Sequence, residues 1–165
     1  MSEDGTPPPA NKARLIAIDL DETSIARPNA NIDHEREVAV FDILDGNSFA
    51  LAGREDGPYK LKLAIADDRL VFAVGTEMQE AVVTHLLSLS PLRRIMKDYF
   101  IVCDSYYQAI RSQPPSRIQA IDMGRRALHD EGSRLLTQRL EGKITLDHDT
   151  ARRLFTLICT LHWRG

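Results

Sequence analysis

Between Tyr59 and Leu89 apolar positions recur every second residue, and after Ser90 they recur every third or fourth. Tyr59, Leu61, Leu63 and Ile65 alternate with Lys60, Lys62, Ala64 and Ala66, the two-residue period of a half-buried strand. Asp67-Asp68 then reads as a hairpin turn. Leu70, Phe72 and Val74 resume the alternation up to Gly75, and residues 81–89 form a third run. Connections this short and polar predict an antiparallel meander.

Helical periodicity brackets the meander. Residues 14–20 form a short apolar run and predict a strand, followed by loop chemistry in ARPNAN at 26–31. A helix is expected from about Asp33, its cap, to Asp45, with Val38, Phe41 and Leu44 on its inner face and Gly46-Asn47 ending it. GREDGP at 53–58 is a turn or loop. Ser90-Pro91 predicts a helix start, with Ser90 capping and Pro91 at the first helical position. Leu92, Ile95, Met96, Tyr99, Val102, Cys103, Tyr106 and Ile110 then line one face until Pro114-Pro115 breaks the pattern.

Ser116 with Gln119 forms a capping box for the next helix, in which Ala120, Gly124 and Ala127 are small enough to admit a close neighbour. Gly142 ends it. KITL at 143–146 is too short to assign, and Asp147 caps a last helix through Leu154, Phe155, Ile158 and Leu161. The predicted order is β-α-β-β-β-α-α-α. This is an α+β fold, a small antiparallel sheet with helices packed on one face.

Residues 1–12, MSEDGTPPPANK, have nothing to bury and predict a disordered tail; residues 13–165 predict a single α+β domain. The acidic start is not a secretory signal, and no run of eighteen apolar residues spans a membrane. The expected location is the cytoplasm, with Cys103 and Cys159 as buried free thiols. The net charge of −3 conceals an uneven distribution, with −8 over residues 1–90 and +5 over residues 91–165. Such a split can mark an anion-binding half or two layers that attract each other.

The stretch LIAIDLDETS at 15–24 resembles motif I of the haloacid-dehalogenase superfamily, an apolar strand running into Asp-x-Asp-x-Thr. That resemblance would make Asp19 a phosphoryl-accepting nucleophile and Asp21 its acid, with Mg²⁺ between carboxylate and phosphate. It also implies a parallel doubly wound sheet with further catalytic residues at later strand ends. The meander argues against that context, because Asp67-Asp68 closes a hairpin where a crossover of roughly a dozen residues is required. An edge strand ending in acids is the favoured reading.

Other metal and redox patterns are weak. Val38 stands where a zinc helix starting at His34-Glu35 needs a second ligand, Asp147-His148-Asp149 suits a helix cap, and His129-Asp130-Glu131 is expected on a solvated side. The cysteines lack CxxC spacing. No cofactor is expected, Mg²⁺ entering only with the phosphatase alternative.

Arginine pairs, by contrast, occur in all three C-terminal helices: Arg93-Arg94, Arg125-Arg126 and Arg152-Arg153. A helix dipole disfavours cations in its first turn, so Arg93 and Arg94 suggest a docked anion. Local pairing is the competing account, through Asp149 four before Arg153, Asp122 four before Arg126, and Asp98 four after Arg94. A pI near 5.9, few aromatics and no recognised module argue against nucleic acid.

RRIMKDYFIVCDSYYQAIR, AIDMGRRALHDEGSRLL and DTARRLFTLICTLHWRG resemble a bacterial family, Uncharacterised Protein Family 0262, from about Leu15 to the C-terminus. The resemblance transfers no catalytic residue; it implies a small bacterial cytoplasmic protein. The expectation is a non-enzymatic binding module recognising an acidic protein partner or an anionic metabolite through its arginine-bearing helices. The alternative is an enzyme acting on a phosphorylated small molecule. The long helices after Ser90 also offer a seam for a homodimer.

Overall fold

A computed structural model describes residues 12–27 and 29–162. The sequence-predicted tail lies almost entirely outside the described residues, Lys12 excepted. The chain forms β1 (Leu15–Leu20), α1 (Ala30–Asp45), β2 (Phe49–Leu51), β3 (Tyr59–Ala66), β4 (Arg69–Thr76), β5 (Val83–Ser88), α2 (Ser90–Ser112), α3 (Pro115–Leu140), β6 (Ile144–Leu146) and α4 (His148–Leu161). The fold is α+β and keeps the predicted order, with the short strands β2 and β6 added to it.

β3, β4 and β5 form the expected antiparallel meander, turned between β3 and β4 by Asp67 and Asp68, both at positive φ. β1 joins β3 in parallel at the edge, giving the order β1-β3-β4-β5 and making the sheet mixed. The parallel step is possible because α1 supplies the crossover between the two strands. KITL contributes β6, which pairs antiparallel with β2 in a two-stranded ribbon. These three-residue strands carry too few positions to show a period.

Alternation decides which face of the sheet is covered. Tyr59, Leu61 and Leu63 are buried while Lys60 and Lys62 are exposed. Leu70, Phe72 and Val74 join the same core, with Leu154, Phe155 and Ile158 of α4. Burying each such side chain stabilises the fold by about 1.5–3 kcal/mol before chain entropy opposes it.

Several helix details differ from expectation. α1 starts at Ala30, capped by Asn29, whose side chain accepts from the Ile32 amide at 2.8 Å. It buries Ile32, Arg36, Ala39 and Ile43, leaving Val38 and Phe41 exposed. Both sets have helical spacing, so periodicity alone did not choose between them. α2 begins at Ser90 itself, after Leu89 in helical geometry, and α3 begins at Pro115; neither has a side-chain cap. Asp147 does cap α4, accepting from the Thr150 amide at 2.8 Å.

The close approach onto α3 occurs at Gly132. A Cβ there would lie 2.3 Å from the Phe155 ring of α4, whereas Gly124 has open space around it and Ala120 and Ala127 are exposed. Gly132 therefore sets the distance between the two helices that carry the candidate site.

Candidate anion-binding cleft

α4 is apolar over most of its circumference. Ala151, Leu154, Phe155, Leu157, Ile158 and Leu161 are buried, while Asp149, Arg152, Arg153 and Thr156 are exposed. Those four have i, i+3, i+4, i+7 spacing, which puts them on one stripe. Asp122, Arg125, Arg126 and His129 repeat that spacing on α3. Residues of the two stripes line one open cleft of about 490 Å³: Arg125, Arg126, His129, Asp149, Arg152, Arg153 and Thr156, with Tyr99 of α2 beside them.

Four of the six sequence-predicted arginines thus converge, and they are held to different degrees. Arg125 donates to Asp122 at 2.5 Å and lies 4.3 Å from the centroid of the Tyr106 ring. Arg126 shares Asp122 through Nε at 3.0 Å, the expected local pair. Arg153 donates to the Gly46 carbonyl at 2.7 Å, not to Asp149. Arg152 has no ion pair within 4 Å and its guanidinium makes no hydrogen bond among the described residues, although its charge acts on Asp130 and His129 and its carbonyl accepts from Thr156. Four guanidinium groups face the carboxylates of Asp122 and Asp149, with Asp130 also within electrostatic reach of Arg152, so the cleft keeps an excess of positive charge.

His129 lies against the cleft wall rather than on a solvated side, correcting the expectation. Its ring is edge-on to Phe155 at 5.2 Å and 5.4 Å from Tyr99. Thr156 Oγ1 donates to the Arg152 carbonyl at 3.1 Å and lies 2.7 Å from His129 Nε2. With the threonine proton committed, His129 donates through Nε2–H, and its Nδ1 is a buried acceptor with no hydrogen-bond partner among the described residues. Burial, followed by the charge of Arg152, lowers its pKa to about 4. The imidazole is neutral at pH 7.

Burial also pushes the Tyr99 hydroxyl well above its ordinary range and raises the Cys103 and Cys159 thiols. The nearby nucleophiles are therefore held protonated, a setting for binding more than for attack. At the start of α4, His148 Nε2 lies 2.8 Å from Asp130 Oδ1, tying α4 to α3.

The remaining predicted residues lie elsewhere. Arg93 is ion-paired with Asp68 in the β3–β4 turn, which accounts for a cation in the first turn of α2. Arg93 and Arg94 do not line the cleft. Asp19 is exposed on edge strand β1, opposite Lys62 in register. Asp21 accepts from the Thr23 hydroxyl at 2.8 Å, and that bond lowers its pKa. The mixed sheet around them differs from the parallel doubly wound sheet that the DLDET resemblance implies.

Tyr99, His129, Asp149 and Thr156 were not among the predicted binding residues. The matched polar stripes on α3 and α4 are the signal that could have found three of them. Tyr99 reads as core in any periodicity. Among the described residues no group of three or more His, Cys, Asp or Glu could hold a metal ion, and no helix is long and apolar enough to cross a membrane.

The chain is similar along nearly its whole length to other bacterial proteins. A UPF0262 protein of Mesorhizobium japonicum is 61% identical over 155 residues, covering 93% of this chain and 96% of the relative. UPF0262 proteins of Brucella suis biovar 1 and Brucella anthropi are each 58% identical over 154 residues, with the same coverage. No solved structure gives a significant match. The model of the Uncharacterised protein family (UPF0262) matches residues 12–164, and the chain belongs to that family.

Proposed function

We propose that the protein is a non-enzymatic cytoplasmic binding module whose ligand is an anion, either a small metabolite or the acidic side chains of a partner protein. The observation that carries this reading is the convergence of Arg125, Arg126, Arg152 and Arg153 from two helices on one cleft, the Arg152 guanidinium having no hydrogen bond among the described residues. Guanidinium groups bind phosphate and carboxylate through paired N–H donors, and a cleft that already concentrates them needs little reorganisation to do so. The protonated state of the neighbouring thiols and of Tyr99 supports binding over covalent chemistry.

A thermal-shift series with phosphate, pyrophosphate and citrate tests the reading. Ligand at a hundred times its Kd adds about 2.7 kcal/mol, a shift of several degrees for a domain of this size. The shift should disappear in Arg125→Ala/Arg152→Ala and persist in Arg93→Ala/Arg94→Ala. An unchanged shift in the first variant would refute the cleft. Stabilisation by Mg²⁺ that requires Asp19 and Asp21 would favour phosphoryl transfer instead.

Self-association is a second reading, favoured by the α2–α3 hairpin. Residues 115–131 of α3 include no buried side chain, and Ile101, Tyr107, Ile110 and Met123 are exposed. Sedimentation of the purified protein tests it, a monomer at high micromolar concentration being the contrary result.

A further inference from the structure

The arginine cleft has a neighbour of different character. A second cavity, of about 570 Å³, shares Tyr99, Arg125 and Thr156 with it and extends between the start of α1, the middle of α2 and the end of α4. Phe100 and Tyr107 supply aromatic rings there, and Glu35 and Asp104 supply two carboxylates. Tyr107 is exposed and, among the described residues, makes a ring contact with Tyr106 alone. Asn31, at the same wall, has no hydrogen bond from its amide among the described residues.

Charge therefore segregates across the shared wall. Four guanidinium groups stand with the single carboxylate of Asp149 in the arginine cleft, while Glu35 and Asp104, an amide and aromatic rings meet only Arg125 in the other cavity. A second anionic group on the ligand would be repelled by Glu35 and Asp104. A plain alkyl tail would leave those acceptors and Asn31 without partners, which is costly wherever water is displaced. A planar body with N–H donors satisfies the carboxylates and stacks on the rings.

We infer that the two cavities form one bipartite site for a nucleotide-class small molecule: a phosphate on Arg125 and Arg152, and an amino-bearing heteroaromatic ring beside Tyr107, Glu35 and Asp104. The inference rests on the anion reading above and narrows it to a ligand class. Arg125 and Thr156, common to both cavities, contact the part of the ligand that joins phosphate to ring.

Calorimetric titration of the full chain with inorganic phosphate, ribose 5-phosphate and AMP tests this directly. AMP should bind at least about tenfold more tightly than either ring-free probe, since one stacked base is worth about that much or more. Tyr107→Ala and Asp104→Asn replace exposed side chains, so the fold should survive. Each should bring AMP towards the affinity of ribose 5-phosphate and leave inorganic phosphate unchanged. Equal affinity for AMP and ribose 5-phosphate would overturn the bipartite site while leaving the arginine cleft in place. Failure of inorganic phosphate and ribose 5-phosphate to bind at all would remove the underlying anion reading as well.

Discussion

The two flanks of α4 use arginine in opposite ways. On the α1 side Arg36 is only 3% exposed, and its Nη2 donates to the Ala26 carbonyl at 2.6 Å and the Thr160 carbonyl at 2.8 Å. It satisfies a carbonyl in the last turn of α4, where the helix leaves such groups without internal partners. On the α3 side Arg152 is exposed and its guanidinium makes no hydrogen bond among the described residues, with Arg125, Arg126 and Arg153 around it. The chemical group is the same, but backbone acceptors claim one guanidinium and leave the other free. An arginine becomes structural when carbonyls or carboxylates lie within reach; where cations outnumber acceptors, it is available to a ligand.

Replacing Arg36 should sharpen the contrast most. Arg36→Ala leaves a cavity and two carbonyls short of a donor, and should cost about 2–4 kcal/mol in urea unfolding. Phosphate affinity should be unchanged at temperatures where the variant is folded. Because Nε and Nη1 of Arg36 are already buried with no hydrogen-bond partner among the described residues, Arg36→Met should recover part of the loss. A variant as stable as the parent would mean that the Arg36 hydrogen bonds contribute nothing.

Gly132→Ala comes next. Its new methyl group must displace the Phe155 ring, which should cost about 1–3 kcal/mol through overpacking. It should weaken phosphate binding as well, since α3 and α4 cannot keep their spacing. Loss of stability with intact binding would show that the cleft does not depend on that spacing.

The pH dependence of stability separates His129 from the acidic groups. Its folded pKa is about 4 against an ordinary 6.5, so between those values the unfolded chain binds the proton and the folded chain does not. The contribution is complete above pH 6.5 and lost as pH falls towards 4, and with partial exposure it amounts to about 1–2 kcal/mol. Asp130 and Asp147 have lowered pKa values, held first by the His148 and Thr150 hydrogen bonds respectively, so their contributions are lost in more acid solution. His129→Gln should flatten the upper window and leave the lower one. An unchanged slope between pH 4 and 6.5 would contradict burial of a neutral histidine.

Arg93→Ala should have the smallest effect. Its ion pair with Asp68 is half exposed, so stability should change by no more than about 0.5 kcal/mol. Phosphate affinity should not change; a weakened affinity would move the anion site to the start of α2.

The meander was legible because one side of the sheet is solvated, so every second residue of β3 and β4 reports its face. α1 was less legible, since a buried arginine and an exposed phenylalanine reverse the usual signal at Arg36 and Phe41. The parallel pairing of β1 depends on where a crossover helix returns the chain, which short-range pattern does not encode. Within the site, the arginine pairs were visible, but their convergence was not. It required knowing that α3 and α4 meet at Gly132, a residue marked only by its lack of a side chain. Arg93-Arg94 looked equivalent to the other pairs because its partner, Asp68, is distant in sequence.

The central claim is that the α3–α4 cleft, where guanidinium groups outnumber carboxylates, binds an anion. Arginine Nε–Hε resonances, assigned by substitution and followed through a titration with inorganic phosphate, test it most directly. The Arg125 and Arg152 signals should move together and saturate, while those of Arg36 and Arg93 stay fixed. Absence of saturable movement at Arg125 and Arg152, or saturation confined to Arg93 and Arg94, would contradict it.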